Sequence, residues 1–347
     1  MNVDAFAPLA RLYIPMSSAG QQAKRLAIDV ALMVIAGFAP AIVLGILGWT
    51  DGVNVAILSG LAVFIACMGG TGWRTGLIIS LPFALFAGFA DWVAPNPWLA
   101  ATVLAIAAFL RGYAAKAGMH DALIMTVISL GFIVASPITS GTSIPSPLFV
   151  ALVSLVAALW ATFVMFVLRR RLQVRDHTAL DPSQVLSFSL VLAFLVGIAT
   201  WFVVDLDLGH TGGWIILTIV VVFQPSWGDG FKKSAHRAVG TVLGFLIAII
   251  VGWLLPNGSA LYLVGTAFLM IAFILMLQGR PYWLYATVLT PAIVLLESAG
   301  STVEEVAEER LGATLIGVGV TVLVMLALEP IARLRAGKPV AGSSPGA

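Results

Sequence analysis

Arg74, Arg237 and Arg310 are the residues best suited to chemistry in a chain that is 60% hydrophobic and only 10% charged. A guanidinium can grip a carboxylate through two parallel hydrogen bonds. Arg74 and Arg237 each open a long apolar stretch with no acid directly beside them. That placement suits a matched pair of cationic mouths for an organic anion. The competing reading is two arginines that snorkel to the membrane interface. Arg310 stands just before the last apolar stretch. Its helical neighbours Ala307 and Val306 are uncharged, and Glu308 and Glu309 do not face it. It reads as an exit-side anion site, against a local ion pair.

Uncharged polar residues inside apolar stretches extend this set. Thr126, Thr287 and Gln224 are candidate substrate contacts. A threonine in a helix can instead bond back to the preceding turn. His120-Asp121 and Glu297 are candidates for proton coupling, because histidine titrates near neutral pH. A capping aspartate and an exposed loop acid are the plainer readings. Arg111, at the end of an apolar stretch, reads as an interface anchor. The middles of the stretches hold no acid or base. An intramembrane charge is costly and usually functional, so this pattern argues against a proton relay through the centre and against an ion pump. The histidines lack metal-ligand spacing, and the single cysteine, Cys67, permits no internal disulfide or CxxC site. No P-loop is present. No catalytic residue, metal or cofactor is expected, and the chain does not read as an enzyme.

The elements that must position these residues are membrane helices. A soluble domain carries about a quarter charged residues. Here 347 residues hold 18 basic and 16 acidic ones, which excludes a soluble enzyme, a nucleic-acid binder and a disordered chain. The net charge of +2 implies no polybasic face. A membrane helix needs roughly 20 mostly apolar residues. Eight charge-free stretches have that size, from Val30–Thr50 to Leu311–Leu328. Two are double length. Ala122–Leu168 is broken between Ser136-Pro137 and Pro145-Ser146-Pro147, and Ala238–Gly279 at Pro256-Asn257-Gly258. The expectation is an all-α polytopic membrane protein with twelve transmembrane helices. With both termini cytoplasmic, every basic residue except Arg310 falls on the inside, as lysine and arginine do in short loops. Asp51, Asp91, Asp205, Asp207, Glu297, Glu304, Glu305, Glu308 and Glu309 fall outside. The start of the chain shows no cleavage pattern of a signal peptide.

The basic linker divides six spans from six. At an offset of 161 residues, Pro95-Asn96 meets Pro256-Asn257, Gly118 meets Gly279, and Thr126-Val127 meets Thr287-Val288. Arg74 meets Arg237 at an offset of 163. Six spans per half make the halves parallel repeats about an axis normal to the membrane, with a central interface where a path could lie. The expected organisation is a cytoplasmic segment over 1–25, one repeat over 26–168, the linker over 169–184, a second repeat over 185–331 and a disordered tail over 332–347.

The densest pattern lies in the second half. Trp214, Thr218 and Gln224-Pro225 are followed by Arg237, Gly240-Thr241 and Gly244. Glycines at that spacing let helix backbones approach closely. The order W-x3-T-x5-Q-P, then R-x2-G-T-x2-G, resembles the fusaric acid resistance and aromatic acid exporter-like family. Tyr282-Trp283, Thr287 and Thr290-Pro291 resemble a second stretch of that family, and Glu309-Arg310-Leu-Gly312-Ala-Thr314 a third. The first half matches weakly, with Met68-Gly69-Gly70-Thr71-Gly72 in place of Gln-Pro. The resemblance implies a bacterial inner-membrane secondary exporter of small, often aromatic, organic acids. Its partners would be the anion, the lipid bilayer, a periplasmic adaptor and further copies of the chain, with no nucleic acid. Plant aluminium-activated malate channels look like distant relatives, so a channel-like anion conductor is the alternative, and a non-transporting subunit of an efflux assembly another. Family members typically carry large cytoplasmic domains after each six-helix unit, which this sequence lacks.

Overall fold

The computed structural model describes residues 19–138, 144–168, 179–255, 258–298 and 302–336. Among them twelve α-helices follow one another. They are α1 (Ala19–Ile46), α2 (Asp51–Gly69), α3 (Trp73–Val93), α4 (Pro97–Tyr113), α5 (Ile124–Ala135) and α6 (Ser146–Leu168), then α7 (Pro182–Asp205), α8 (Gly209–Val222), α9 (Trp227–Leu254), α10 (Gly258–Leu277), α11 (Tyr282–Glu297) and α12 (Val303–Ala336).

The helix ends follow local chemistry. Asn96 caps α4 by accepting from the Trp98 and Leu99 amides, both at 3.1 Å, with Pro97 at the first helical position. Thr302 and Glu305 exchange side-chain-to-backbone bonds of 3.2 and 3.1 Å and so open α12 with a capping box. Gly118 and Gly279 adopt φ of 70° and 63°, values that favour glycine. They are also partners at the repeat offset. Gly48 and Gly209, with φ of 76° and 52°, stand at that same offset.

Nine of the described helices are long and apolar enough to cross a membrane, rather than the twelve expected. The other three, α5, α8 and α11, have 12, 14 and 16 residues. At about 1.5 Å per residue they fall short of a hydrocarbon core roughly 30 Å thick. They are short because they sit inside the bundle. Every residue of α5 from Val127 to Ala135 is buried. The long helices surround them and turn large apolar side chains such as Ile78 and Leu263 outward.

Packing within each half follows one scheme. α6 lies against α2 and α3, and α12 lies against α8 and α9. α1 pairs with α2, and α7 with α8. The halves meet where α4 packs on α7 and α5 on α8. Small residues permit these approaches. A Cβ built on Gly112 would lie 2.6 Å from the Ser189 Cα, and one on Gly131 2.8 Å from Ile216.

Several boundaries differ from expectation. α1 begins at Ala19 and α7 at Pro182, and α12 runs on to Ala336. Residues 1–18, 169–178 and 337–347 lie outside the described residues. Asp91, expected in a loop, belongs to α3 and is 4% exposed. It accepts from Ser146 Oγ at 2.6 Å and from the Ile138 amide at 3.1 Å, and so ties the α5–α6 connection to α3.

Candidate functional site

Ser226 starts α9 by accepting from the Asp229 amide at 3.3 Å. The helix then carries Arg237 about ten residues into the bundle, where it is 2% exposed. Gly240 and Gly244 bring α9 onto α11. A Cβ at Gly240 would lie 2.6 Å from Ala286 Cβ, and one at Gly244 2.6 Å from Thr290 Cβ. This contact sets Tyr282 beside Arg237, whose Nη1 donates to the Tyr282 hydroxyl at 3.3 Å. Arg237 Nε has no hydrogen-bond partner among the described residues.

Arg310 lies two turns inside α12. The sequence pattern placed it outside the last span, but the capping box starts the helix at Val303 and buries that whole face. Val303 and Ala307 are buried, and Arg310 itself is 2% exposed. Its guanidinium lies 3.7 Å from the centroid of the Trp214 ring on α8. Nε, Nη1 and Nη2 all lack a hydrogen-bond partner among the described residues. Neither Arg237 nor Arg310 forms a salt bridge with a described residue.

The register of α9 against α12 relates the two arginines. Gly230 meets Met325 at one end and Gly252 meets Val303 at the other, so the helices run antiparallel. That register sets Thr241 level with Thr314. Each threonine stands one turn beyond an arginine, and both hydroxyls are buried without a partner. Arg310 is within electrostatic range of Arg237, Tyr282, Tyr285 and Glu297. The register aligns four buried side chains, Arg237, Thr241, Thr314 and Arg310, whose nitrogens and hydroxyls are left largely unpaired among the described residues. Arginine has five N–H donors and no acceptor. An unpaired charge on a membrane helix costs roughly 3 kcal/mol on insertion scales. An anion entering this line would supply what the guanidiniums lack.

At one end of the line, His210 Nε2 and Glu297 Oε1 are 3.0 Å apart. At the other, Pro225 has no amide, so α8 breaks. Gln224 Nε2 donates to the freed Val221 carbonyl at 2.8 Å, while Arg111 of the first half donates from Nη1 to the Val220 carbonyl at 3.0 Å. Arg111 is 1% exposed, and its Nε also donates to the His120 carbonyl at 3.1 Å.

Residues 185–324 match the family described as fusaric acid resistance protein-like. That match covers 140 of the 347 residues, so the chain is similar to that family over this stretch. It is similar to aluminum-activated malate transporter 13 of Arabidopsis thaliana, 25% identical over 135 residues, which are 35% of this chain and 25% of that one. It is similar also to the inner membrane protein YccS of Escherichia coli, 34% identical over 110 residues, which are 31% of this chain and 14% of that one. The chain thus spans a quarter or less of each relative's length. No solved structure matches it. Nine described helices are long and apolar enough to cross a membrane, and Arg237 and Arg310 both lie within the matched residues.

The remaining candidates are dispersed in the fold. Arg74 is exposed at the start of α3, 5.8 Å from the Trp73 ring, and does not share the environment of Arg237. Thr126 bonds back to Leu123 O at 2.6 Å, Thr287 to Trp283 O at 2.9 Å, Thr290 to Ala286 O at 2.9 Å and Thr218 to Trp214 O at 2.8 Å. Gln224 is spent on capping α8 rather than on a site. A Cβ at Gly312 would meet nothing within 4 Å, and the close approach of α12 to α8 is made by Gly317 instead, 2.7 Å from Thr218 Cβ. His120 and Asp121 are 3.9 Å apart in the turn before α5. Among the described residues no cluster of His, Cys, Asp or Glu is arranged for a metal. Sequence reasoning missed Arg111 as a bond between the halves, because its acceptor lies 109 residues away.

Proposed function

We propose that the protein is a secondary transporter that exports small organic acids, aromatic ones among them, across a bacterial inner membrane. The observation that carries this reading is the buried, carboxylate-free pair Arg237 and Arg310. A planar guanidinium fits a carboxylate, and the Trp214 face beside Arg310 suits a planar apolar body. The relatives' names, a malate transporter and an inner membrane protein, accord with it.

The proposal includes twelve helices in two parallel six-helix repeats, with both termini cytoplasmic. Three observations support it. The pairings α3–α6 and α9–α12, and α2–α6 and α8–α12, mirror each other. Glycines of positive φ recur at the repeat offset. The short helices α5 and α11 hold corresponding positions, the kind of place where transporters build their sites. A periplasmic adaptor and self-association complete the proposed assembly.

The test is efflux of radiolabelled benzoate from loaded bacterial cells. Cells expressing the protein should lose label faster than cells expressing Arg237→Ala at equal protein level. Equal rates would contradict the reading. Efflux that follows membrane potential and not the pH gradient would favour an anion conductor over a coupled exporter.

A further inference from the structure

The end of the bundle where α8 begins, α11 ends and α12 begins holds titratable groups that the anion site does not use. Glu297, the last residue of α11, accepts or shares a hydrogen bond with His210 Nε2 at 3.0 Å, and both side chains are partly exposed. The His210 ring packs near-perpendicular to Trp214, with centroids 5.7 Å apart, and lies 5.0 Å from Phe132. Trp214 in turn carries the Arg310 guanidinium. Glu297 is also the acid whose charge acts on Arg310. One carboxylate therefore faces both an imidazole and a guanidinium. It is hydrogen-bonded to the imidazole, and the guanidinium is left without a partner.

We propose that Glu297 is a tethered anion that competes with substrate for Arg310, and that protonated His210 holds it off. The inference rests on reading the arginine pair as an anion site. A protonated imidazole binds a carboxylate by a charge-assisted bond, roughly twice as strong as a neutral one. Histidine changes charge within the physiological range. When the imidazole loses its proton, Glu297 is held only by a neutral hydrogen bond, and the buried, unpaired Arg310 becomes its better partner. Acid therefore opens the site to external anions, and alkali fills it from within.

Other charged groups at this end do not take the place of Glu297. Glu309 on α12 accepts from Thr211 Oγ1 at 3.2 Å. Asp205 and Asp207, at the end of α7, are exposed. α5 presents Phe132 to His210, and the end of α9 from Phe245 to Leu254 carries no charge. Among the described residues only Glu297 lies within salt-bridge distance of His210.

The test is calorimetric titration of benzoate into the purified full chain, at about pH 6 and about pH 8, on either side of the histidine range. Wild type should bind at least about fivefold more weakly at the higher pH, the low end of allosteric couplings. Glu297→Gln removes the competitor and should bind at the higher pH as tightly as at the lower. His210→Gln keeps a donor but never charges, so it should bind weakly at both. The two variants thus move in opposite directions, which general misfolding would not produce. A Glu297→Gln protein no tighter than wild type at the higher pH overturns the proposal, as does a His210→Gln protein that keeps wild-type affinity at the lower pH. Binding abolished by Arg310→Gln, with unchanged pH profiles in the other two variants, overturns the competitor alone. No benzoate binding by any of these proteins overturns the anion site as well.

Discussion

Arg310 rests its guanidinium on the indole of Trp214, 3.7 Å from the ring centroid, with no hydrogen-bond partner for any of its three nitrogens among the described residues. The indole supplies a negative face but no acceptor. Arg310 is therefore positioned without being neutralised. A carboxylate partner would have occupied it, and a solvent-exposed position would have screened it.

Replacing Trp214 should expose this dependence. Trp214→Leu is expected to lower stability by about 2 kcal/mol, the upper range for a desolvated cation–π pair. Trp214→Tyr should cost less. The loss should shrink when Arg310→Gln is already present, as a double-mutant cycle requires of coupled neighbours. Thermal unfolding in detergent of the four proteins measures it.

The α9–α11 contact is set by Gly240 and Gly244, where an added Cβ would lie within 2.7 Å of the Trp283 and Thr287 carbonyl oxygens respectively. Gly240→Val should destabilise the protein by about 1–3 kcal/mol, as overpacking does. It should also break the Arg237–Tyr282 bond. Gly312→Ala, at a mid-helix position with open space, should instead stabilise the protein by roughly 0.5–1 kcal/mol.

Arg111 joins the halves by donating to Val220 O, and is held within its own half by donating to His120 O. Arg111→Gln should cost about 1–3 kcal/mol through the carbonyls it leaves unsatisfied. Limited proteolysis should then cut nearer the α8–α9 break than in wild type. An unchanged digestion pattern and unfolding temperature would remove this role.

Topology can be read by thiol labelling, because the native Cys67 is fully buried and stays silent. Single cysteines at Thr50 and Asp207 should label from outside, and those at Gly228 and Gln278 from inside, all four being exposed positions. Opposite labelling at Asp207 and Gly228 requires the 14-residue α8, with its flanking turns, to connect the two sides. Labelling of both from one side would contradict a twelve-span chain.

The helices were legible because charge-free length and Pro/Gly punctuation act locally. Ser136-Pro137 and Pro256-Asn257 mark breaks that the helix boundaries respect. The Gly240/Gly244 approach was legible for the same reason. Depth was not. Arg310 was placed outside because hydropathy alone begins the last span at Leu311, whereas the Thr302–Glu305 capping box begins the helix before it. Asp91 was lost the same way, its partners Ser146 and Ile138 being distant in sequence. Repeat position pairs Arg74 with Arg237. Position carries no knowledge of burial, and only Arg237 is buried. Nor does composition reveal that α5, α8 and α11 are interior, since buried and lipid-facing residues are equally apolar.

The most direct test of the central claim is benzoate flux into proteoliposomes bearing wild type, Arg237→Gln, Arg310→Gln or Arg74→Gln at matched protein density. The buried pair predicts saturable flux in wild type, at least about tenfold loss in each buried-arginine variant, as for a truncated charge contact worth more than 1.4 kcal/mol, and near-normal flux in Arg74→Gln. Wild-type flux retained in both Arg237→Gln and Arg310→Gln, with folding intact, would contradict it.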